Sequence, residues 1–251
     1  MTKCIAVAGK GGTGKTTLTA LLVRYLLRKR PGKSILAVDA DANANLNEAL
    51  GLKVMETIGT ILEETKKPNA VPTGMTKDIF IEYRLSRALV ETDHYDLVVM
   101  GNPQGPGCYC YPNDLLKRHL ERLAKNYDYM LVDNEAGLEH LSRKLLPKAD
   151  LLIVCSDTSV RGIRSARRVR EIVENVKIEV GRMGLVVCRG RGGEAEQLEK
   201  EIKDSGLNLF GELPYDPLIE EYDLAGKPLL DLPDDAVAVA ASALLFDGLS
   251  L

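Results

Sequence analysis

Short apolar runs alternate along the chain with longer stretches in which apolar residues recur every three or four positions. The runs are typical of buried strands, and the longer stretches are typical of amphipathic helices. The runs predict strands at residues 4–8, 34–38, 95–100, 129–132, 151–155, 185–188 and 207–213, and the longer stretches predict helices, among them one at residues 194–204. Such alternation predicts an α/β fold with a doubly wound, mostly parallel sheet and helices on both faces. Because the chain has 251 residues, we expect residues 1–251 to form a single domain.

Three segments are distinguished from this alternation by their composition. Residues 66–92 have weak periodicity, which predicts a surface insertion without assigned elements. Residues 101–114 contain three glycines and three prolines, which predicts a loop. Residues 234–251 are rich in apolar residues and predict a helix that closes the domain against the sheet.

The first predicted strand leads into a glycine-rich loop and then into a helix that begins near Lys15. Residues 9–16 read GKGGTGKT and fit the pattern G-x-x-x-x-G-K-[ST] of P-loop NTPases. Glycines let main-chain N–H groups turn toward a phosphate, and the helix N-terminus adds a partial positive charge. We expect Lys15 to reach the β and γ phosphates of ATP or ADP and the Thr16 hydroxyl to ligate Mg²⁺. The predicted nucleotide-binding residues are Gly9, Lys10, Gly11, Gly12, Thr13, Gly14, Lys15, Thr16 and Thr17.

Acidic residues stand at the ends of two predicted strands. Asp39 and Asp41 follow the second strand, and Asp133 follows the fourth. Because residues two apart on a strand point the same way, Asp39 and Asp41 can both face a phosphate-bound Mg²⁺ and its waters. We predict Thr16, Asp39 and Asp133 as magnesium ligands. The alternative is that these acids cap helices, since Asp often satisfies free N–H groups where a strand turns into a helix.

Two cysteines, Cys108 and Cys110, lie in the predicted loop 101–114. Two thiolates separated by one residue can bind a soft or borderline metal, but tetrahedral Zn²⁺ or square-planar Ni²⁺ needs more ligands than two. A twofold dimer with this loop on its axis would supply four cysteines. The alternative is two incidental thiols. The other cysteines, Cys4, Cys155 and Cys188, lie in apolar strands and are interpreted as core residues.

The loop GKGGTGKTT, with Lys10 directly after the first glycine, resembles the deviant Walker A loop of the family that contains MinD, ParA, nitrogenase iron protein and CooC. The resemblance implies a homodimer formed with ATP, in which Lys10 reaches the partner's phosphates. It also implies ATP hydrolysis with Lys10, Lys15 and Asp41 as catalytic residues. The segment ELPYDP resembles the family's base-binding border, so Pro214 and Asp216 are predicted to contact the base.

Within that family, the C-x-C loop and the segment NEAGLEHLSR resemble the CooC group of nickel-handling ATPases. This resemblance implies a metallochaperone that carries Ni²⁺, with Zn²⁺ equally permitted by thiolate chemistry, and delivers nickel to apo carbon monoxide dehydrogenase. Dimerisation would then depend on ATP, on the metal or on both. Two alternatives stay open. One is a partition or positioning ATPase without a metal role, and the other is an ATPase with an iron–sulfur cluster bridging the dimer.

Composition limits the partners. The chain carries 33 Lys and Arg against 36 Asp and Glu, which favours neither a nucleic-acid surface nor docking on acidic lipid. Five arginines between residues 161 and 170 are interpreted as a solvated helix face rather than a DNA surface. Without an apolar segment long enough to span a bilayer, and with an odd number of cysteines, the protein is expected to be cytoplasmic.

Overall fold

The computed structural model describes residues 1–41, 43–65, 67, 70–101, 110–134 and 148–251, with only the backbone described for residues 110–116. Within these residues eight strands form one sheet. The strands are β1 (Lys3–Gly9), β2 (Ile35–Ala40), β3 (Leu89–Glu91), β4 (Asp96–Val99), β5 (Tyr129–Asn134), β6 (Lys148–Ser156), β7 (Glu179–Gly190) and β8 (Asn208–Pro214).

Helices connect most of these strands. The described residues contain α1 (Lys15–Lys29), α2 (Leu46–Ala49), α3 (Ile58–Glu64), α4 (Lys77–Arg87), α5 (Cys110–Ala124), α6 (Val160–Val176), α7 (Glu194–Gln197), α8 (Glu199–Ser205), α9 (Pro217–Ala225) and α10 (Val237–Gly248), with a 3-10 turn at Leu229–Asp231. Of these helices, none is long and apolar enough to span a bilayer.

The strand order is β3-β4-β2-β5-β1-β6-β7-β8. The neighbouring pairs are parallel, except that β3 runs antiparallel to β4. Strands β2, β5 and β1 are adjacent although β5 comes much later in the chain. Their carboxyl ends therefore meet at one edge of the sheet, where open α/β sheets bind their ligands.

Each face of the sheet is covered by helices. Side chains alternate along β1, so Ile5 and Val7 join one buried cluster whereas Ala6 and Ala8 join the other. The first cluster includes α1 and α10, with Phe246 fully buried. The second includes residues of α3, α4, α5, α6 and α8. The predicted α/β architecture with a mostly parallel sheet and helices on both faces is confirmed.

Three details of the prediction were wrong. Residues 66–92 are not an unassigned insertion, because α4 and β3 lie there. β3 has three residues, too few to give a periodic signal, and Thr76 caps α4 by accepting a hydrogen bond from the N–H of Ile79. The helix expected at residues 194–204 is two helices that meet at Leu198. Residues 101–114 are not all loop, since α5 begins at Cys110.

Candidate functional site

The glycine-rich loop after β1 is held against the sheet by close packing. A Cβ atom at Gly9 would clash with the carbonyl oxygen of Cys155 on β6. Gly14 caps α1 with φ 87°, a left-handed conformation that glycine adopts at little cost. The loop's own main chain is stabilised at Lys10, whose carbonyl oxygen accepts hydrogen bonds from the Thr13 hydroxyl at 2.7 Å and from Lys15 Nζ at 3.3 Å.

The first turn of α1 points two functional groups into this loop. Lys15 is buried, with 6% of its surface exposed, and its ammonium lies inside the loop. The Thr16 hydroxyl donates a 2.6 Å hydrogen bond to Asp133 Oδ2 on β5. Apolar residues of α1, among them Leu18, Leu21 and Leu22, are buried against the sheet and fix the helix beneath the loop. The loop, a buried cation, a hydroxyl and a carboxylate thus converge at one edge of the sheet.

Asp39 and Asp133 are register partners on the neighbouring parallel strands β2 and β5, and both are almost fully buried. Asp39 Oδ1 accepts the N–H of Asp41 at 3.0 Å, and Oδ2 accepts the N–H of Leu46 at 2.8 Å. Its carboxylate therefore fastens the loop that leads into α2. Burial raises the pKa of Asp39 to about 6, and the backbone hydrogen bonds limit the rise.

Asp133 has a different environment. Its Oδ1 is buried without a hydrogen-bond partner, whereas Oδ2 accepts from Thr16. Burial raises the pKa of Asp133 to about 7, with a further upward contribution from Asp39 and downward ones from Thr16 and Lys15. An unpaired buried carboxylate oxygen beside a hydroxyl fits a hard divalent cation such as Mg²⁺, which binds oxygen ligands. The donor set therefore fits the predicted magnesium, with Asp133 and Thr16 as the residues that would hold it.

The other predicted catalytic residues lie at the opening of the loop. Asp41 is partly exposed, and its Oδ1 accepts the N–H of Asn43 at 2.8 Å, which closes a tight turn. Lys10 has an exposed side chain. Both side chains are thus placed at the surface rather than inside the loop.

A cleft of about 720 Å³ opens in front of these residues. The sequence analysis predicted the end of the cleft that is formed by the phosphate loop. It did not predict the residues of α2 and α9 that also line the cleft. Their positions beside the loop depend on the fold, and no spacing in the sequence links them to the glycines. The cleft is lined by Gly11, Gly12, Gly14, Lys15, Thr16, Thr17, Asp41, Asn43, Asn45, Glu48, Lys53, Arg189, Asp223 and Lys227, among others.

Comparison with known proteins agrees with this geometry. The family model for the CobQ/CobB/MinD/ParA nucleotide binding domain matches residues 4–229. The chain belongs to this family. It is 44% identical over 234 residues to an uncharacterized ATP-binding protein of Methanocaldococcus jannaschii, with 92% of each chain covered. This member of the CobQ/CobB/MinD/ParA family is therefore a nucleotide-binding P-loop ATPase.

Two further proteins are similar to this chain. It is 29% identical over 260 residues to the carbon monoxide dehydrogenase accessory protein CooC of Rhodospirillum rubrum, covering 96% of this chain and 95% of that one. The septum site-determining protein MinD of Pyrococcus horikoshii, solved in complex with Mg-ADP, has the same fold, with a TM-score of 0.72 and 23% identity. That similarity covers 99% of this chain and 96% of the other.

Asp216, which follows β8, accepts two hydrogen bonds from backbone N–H groups of the protein. Its Oδ1 accepts the N–H of Leu218 at 3.0 Å, and its Oδ2 accepts the N–H of Ala238 at 2.9 Å. Asp216 thereby caps α9 and ties it to the start of α10. Pro214 and Asp216 both line a recess of about 40 Å³, which shares the lining residues Gly14, Thr17, Arg189 and Asp223 with the cleft. Contact with a base stays a prediction for both.

Arg189 shares this end of the site. It has φ 63° and an exposed side chain, and it lines both the cleft and the recess together with Asp223. Burial raises the pKa of Asp223, and Arg189 lowers it in part. A cation and an anion therefore both line the cleft and the recess in which the base is expected. The sequence analysis assigned no role to Arg189.

The side chains of the predicted metal ligands, Cys108 and Cys110, lie outside the part of the chain that the structure describes. Cys108 is outside the described residues, and for Cys110 only its backbone position at the start of α5 is described. Within the part of the chain that the structure describes, no group of three or more His, Cys, Asp or Glu residues could hold a metal ion. Cys4, Cys155 and Cys188 are free and buried, as their strand positions indicated.

Three of the five arginines of helix α6 form ion pairs. Arg164 pairs with Glu201 at 3.2 Å, Arg167 with Glu171 at 2.8 Å, and Arg170 with Glu174 at 3.5 Å. These contacts agree with the interpretation of a solvated helix face, since these three arginines already have acidic neighbours.

Proposed function

We propose that this ATPase is a metallochaperone that binds Ni²⁺, or Zn²⁺, through Cys108 and Cys110 at a homodimer interface and delivers nickel during maturation of carbon monoxide dehydrogenase. The observation that supports the proposal is the position at which the segment with both cysteines begins. This segment, residues 101–110, is called the cysteine segment below. Gly101 follows the carboxyl end of β4, and β4 pairs with β2 so that Val99 lies opposite Asp39. The cysteine segment therefore starts at the same edge of the sheet as the phosphate loop. The likeness to CooC supports the same function.

The charged and polar groups at the phosphate loop support the proposed binding and hydrolysis of ATP. Lys15 and the main-chain N–H groups of the glycine loop would bind the phosphates, and Thr16 and Asp133 would hold Mg²⁺, which would neutralise charge on the γ phosphate. Asp41, at the opening of the cleft, would orient the attacking water. Lys10, exposed on the loop, would contact the phosphates of a second chain.

In this proposal the protein carries the metal to another enzyme, so the metal site must both bind and release it. Two cysteines from each chain give four thiolates in a twofold dimer, a set suited to tetrahedral Zn²⁺ or to Ni²⁺. ATP would close the dimer and complete the set, and hydrolysis would release the metal to the client enzyme. Transfer to apo carbon monoxide dehydrogenase is tested by adding the loaded ATPase and following nickel-dependent activation.

The cysteine site is tested by equilibrium dialysis against Ni²⁺ and Zn²⁺ in the presence of Mg-ATP. The double substitution Cys108→Ala and Cys110→Ala should abolish stoichiometric metal binding and leave ATP binding intact. Cys4→Ala is the matched control, because Cys4 is buried at the start of β1. Metal retention by the double variant equal to that of the wild type would refute the site.

The role of Lys10 is tested by light scattering with ATP and with ADP. Lys10→Ala should suppress the ATP-dependent dimer, because the substitution removes the cation that reaches the partner's phosphates. Lys33→Ala is a suitable control, since Lys33 is exposed and pairs with Asp128 away from the cleft. A normal ATP dimer of Lys10→Ala would exclude the contact between chains.

A partition or positioning ATPase is the second candidate, and the MinD and ParA members of the matched family favour it. This candidate predicts ATP-dependent binding to DNA or to lipid vesicles and no metal binding. The balance of 33 basic and 36 acidic residues weighs against a DNA surface. A third candidate, with a bridging iron–sulfur cluster, predicts a brown protein with visible absorption after anaerobic purification.

A further inference from the structure

Two segments far apart in the chain form walls of the nucleotide cleft. The first, residues 48–53, includes the end of α2 and the turn after it, and it lines the cleft with Gly51 and Lys53 among others. The second, residues 226–229, follows α9 and lines the same cleft with Lys227 among others. We call these segments the α2 wall and the α9 wall. Neither belongs to the phosphate loop, so they are available to contact the sugar and base of a nucleotide.

The two walls touch each other at Gly51 and Pro228. Gly51 has φ 72°, and a Cβ atom on it would lie 2.8 Å from Pro228 Cβ and 2.9 Å from Pro228 Cγ. Carbon atoms that are not bonded to each other pack at about 3.5–4.0 Å, so such a Cβ atom would force the walls apart. The proline ring is rigid and cannot rotate away from it. Glycine at position 51 therefore permits this close approach.

Each wall is also anchored in the protein core. In the α2 wall, Leu50 is buried and its carbonyl oxygen accepts a 3.2 Å hydrogen bond from the Tyr95 hydroxyl. In the α9 wall, Leu229 is buried, and the buried Arg24 of α1 donates a hydrogen bond to the carbonyl oxygen of the next residue, Leu230. Because both walls are held from behind, a group inserted between Gly51 and Pro228 cannot be accommodated by one wall sliding aside.

We propose that the contact between Gly51 and Pro228 sets the separation of the two walls, and that Gly51 is thereby a positioning residue for the sugar and base of the bound nucleotide. The groups that would bind the phosphates and Mg²⁺ lie on other elements, with Lys15 and Thr16 on α1 and Asp133 on β5. A wider cleft would lose contacts with the sugar and base and leave the phosphate contacts in place. The proposal does not depend on the metal function.

The test is Gly51→Ala, with Gly32→Ala as its matched control. Gly32 has a similar left-handed backbone, with φ 80°, but a Cβ atom there meets nothing within 4 Å. Both substitutions impose the same kind of backbone strain, and only Gly51→Ala separates the walls. Binding of Mg-ADP and of Mg-pyrophosphate is measured by calorimetry. Pyrophosphate has neither sugar nor base, so it probes the phosphate loop alone.

We expect Gly51→Ala to weaken Mg-ADP binding about tenfold, the scale of the free energy lost when one group is forced into a packed contact. Pyrophosphate affinity should stay at the wild-type value. In steady-state hydrolysis the KM for ATP should rise while kcat is retained, because the lost contacts do not involve the reacting phosphate. Gly32→Ala should bind both ligands as the wild type does.

Pro228→Gly tests the contact from its other side, because it removes both ring atoms that the new Cβ atom would meet. Alone, it removes the support that fixes the separation of the walls and should weaken Mg-ADP binding. Combined with Gly51→Ala, it makes room for the methyl group, so the double variant should bind Mg-ADP more tightly than Gly51→Ala does. Such coupling between two substitutions is expected for residues in direct contact.

Three results would overturn the proposal. Wild-type affinity of Gly51→Ala for Mg-ADP would mean that wall separation does not affect the nucleotide. An equal loss for pyrophosphate would place the effect in the phosphate loop, and an equal loss in Gly32→Ala would assign it to backbone strain. Should Gly51→Ala fail to fold in circular dichroism, wild-type Mg-ADP affinity of Pro228→Gly would overturn the proposal instead.

Discussion

The carboxyl ends of β2 and β5 carry the same residue type at the same height in the sheet, yet the two aspartates have different environments. Asp39 and Asp133 are register partners with 0% and 1% of their surface exposed. Both oxygens of Asp39 accept N–H groups of its own following loop. Asp133 accepts from Thr16 and keeps one buried oxygen unpaired. Position on the sheet therefore does not determine the role of an acid here, whereas its remaining hydrogen-bonding capacity does.

This difference assigns the two acids to separate tasks. A carboxylate whose oxygens hold two backbone N–H groups acts as a loop anchor, as the capping alternative from the sequence implied. A buried carboxylate with a free oxygen retains the capacity to bind a cation. We therefore favour Asp133 over Asp39 as the direct magnesium ligand. Substituting each acid separately tests the division.

The largest expected effect is that of Asp133→Asn. Losing the charge that would hold Mg²⁺ should lower Mg²⁺-dependent ATP turnover about 100-fold, the scale measured when one preorganised polar group is removed from an active site. Turnover is measured by phosphate release at saturating ATP, with circular dichroism as the control for folding. Turnover close to that of the wild type would exclude Asp133 from the magnesium site.

Asp39→Asn should act mainly on stability. The amide keeps one acceptor oxygen, so one of the N–H groups of Asp41 and Leu46 loses its partner, at a cost of about 1–3 kcal/mol. Urea unfolding without nucleotide measures this loss of unfolding free energy. If Asp39→Asn instead leaves stability unchanged and lowers turnover as much as Asp133→Asn does, the two acids share the magnesium and the division is wrong.

The pH dependence of stability distinguishes Asp133 further. Its pKa lies at about 7 in the folded chain against an ordinary 3.8, so the folded state keeps a proton that the unfolded state loses. The stabilisation from that proton is complete below about pH 4 and is lost as the pH rises through about 7. In nucleotide-free, metal-free protein, the stability of Asp133→Asn relative to the wild type should therefore increase between these pH values. A constant difference across this range would contradict the raised pKa.

The smallest effect is expected for Thr16→Ser. Serine keeps the hydroxyl that donates to Asp133 Oδ2, so ATP turnover should stay close to that of the wild type. Phosphate release measured beside Asp133→Asn makes the comparison direct. A loss as large as that of Asp133→Asn would mean that the methyl group of Thr16, rather than its hydroxyl, supports the site.

The strong local patterns of the sequence were sufficient to predict the fold class and the phosphate loop. The pattern of residues 9–16 predicts a local structure by itself, because a phosphate loop requires glycines, a lysine and the start of a helix at fixed positions. The division between Asp39 and Asp133 was not predictable in this way. It depends on a loop folding back so that the N–H of Leu46 reaches Asp39, seven residues earlier.

The other features that the sequence did not predict depend on contacts between residues far apart in the chain. β3 is a three-residue strand whose pairing with β4 defines it, and Arg189 and Asp223 reach the cleft from separate elements. Asp216 matched a motif, but its bond to the N–H of Ala238 depends on how α10 returns to the sheet. Such contacts join residues far apart in the chain, and periodicity reports only on neighbours.

The proposed function is tested most directly by the metal content of the ATP-bound dimer. Anaerobically purified protein is loaded with Ni²⁺ or Zn²⁺ in Mg-ATP and in Mg-ADP and weighed by native mass spectrometry. We predict about one metal ion per two chains in the ATP-bound dimer, and its loss when Cys108 and Cys110 are replaced by alanine. A metal-free ATP-bound dimer of the wild type, or a metal ion retained by the alanine variant, would contradict the proposal.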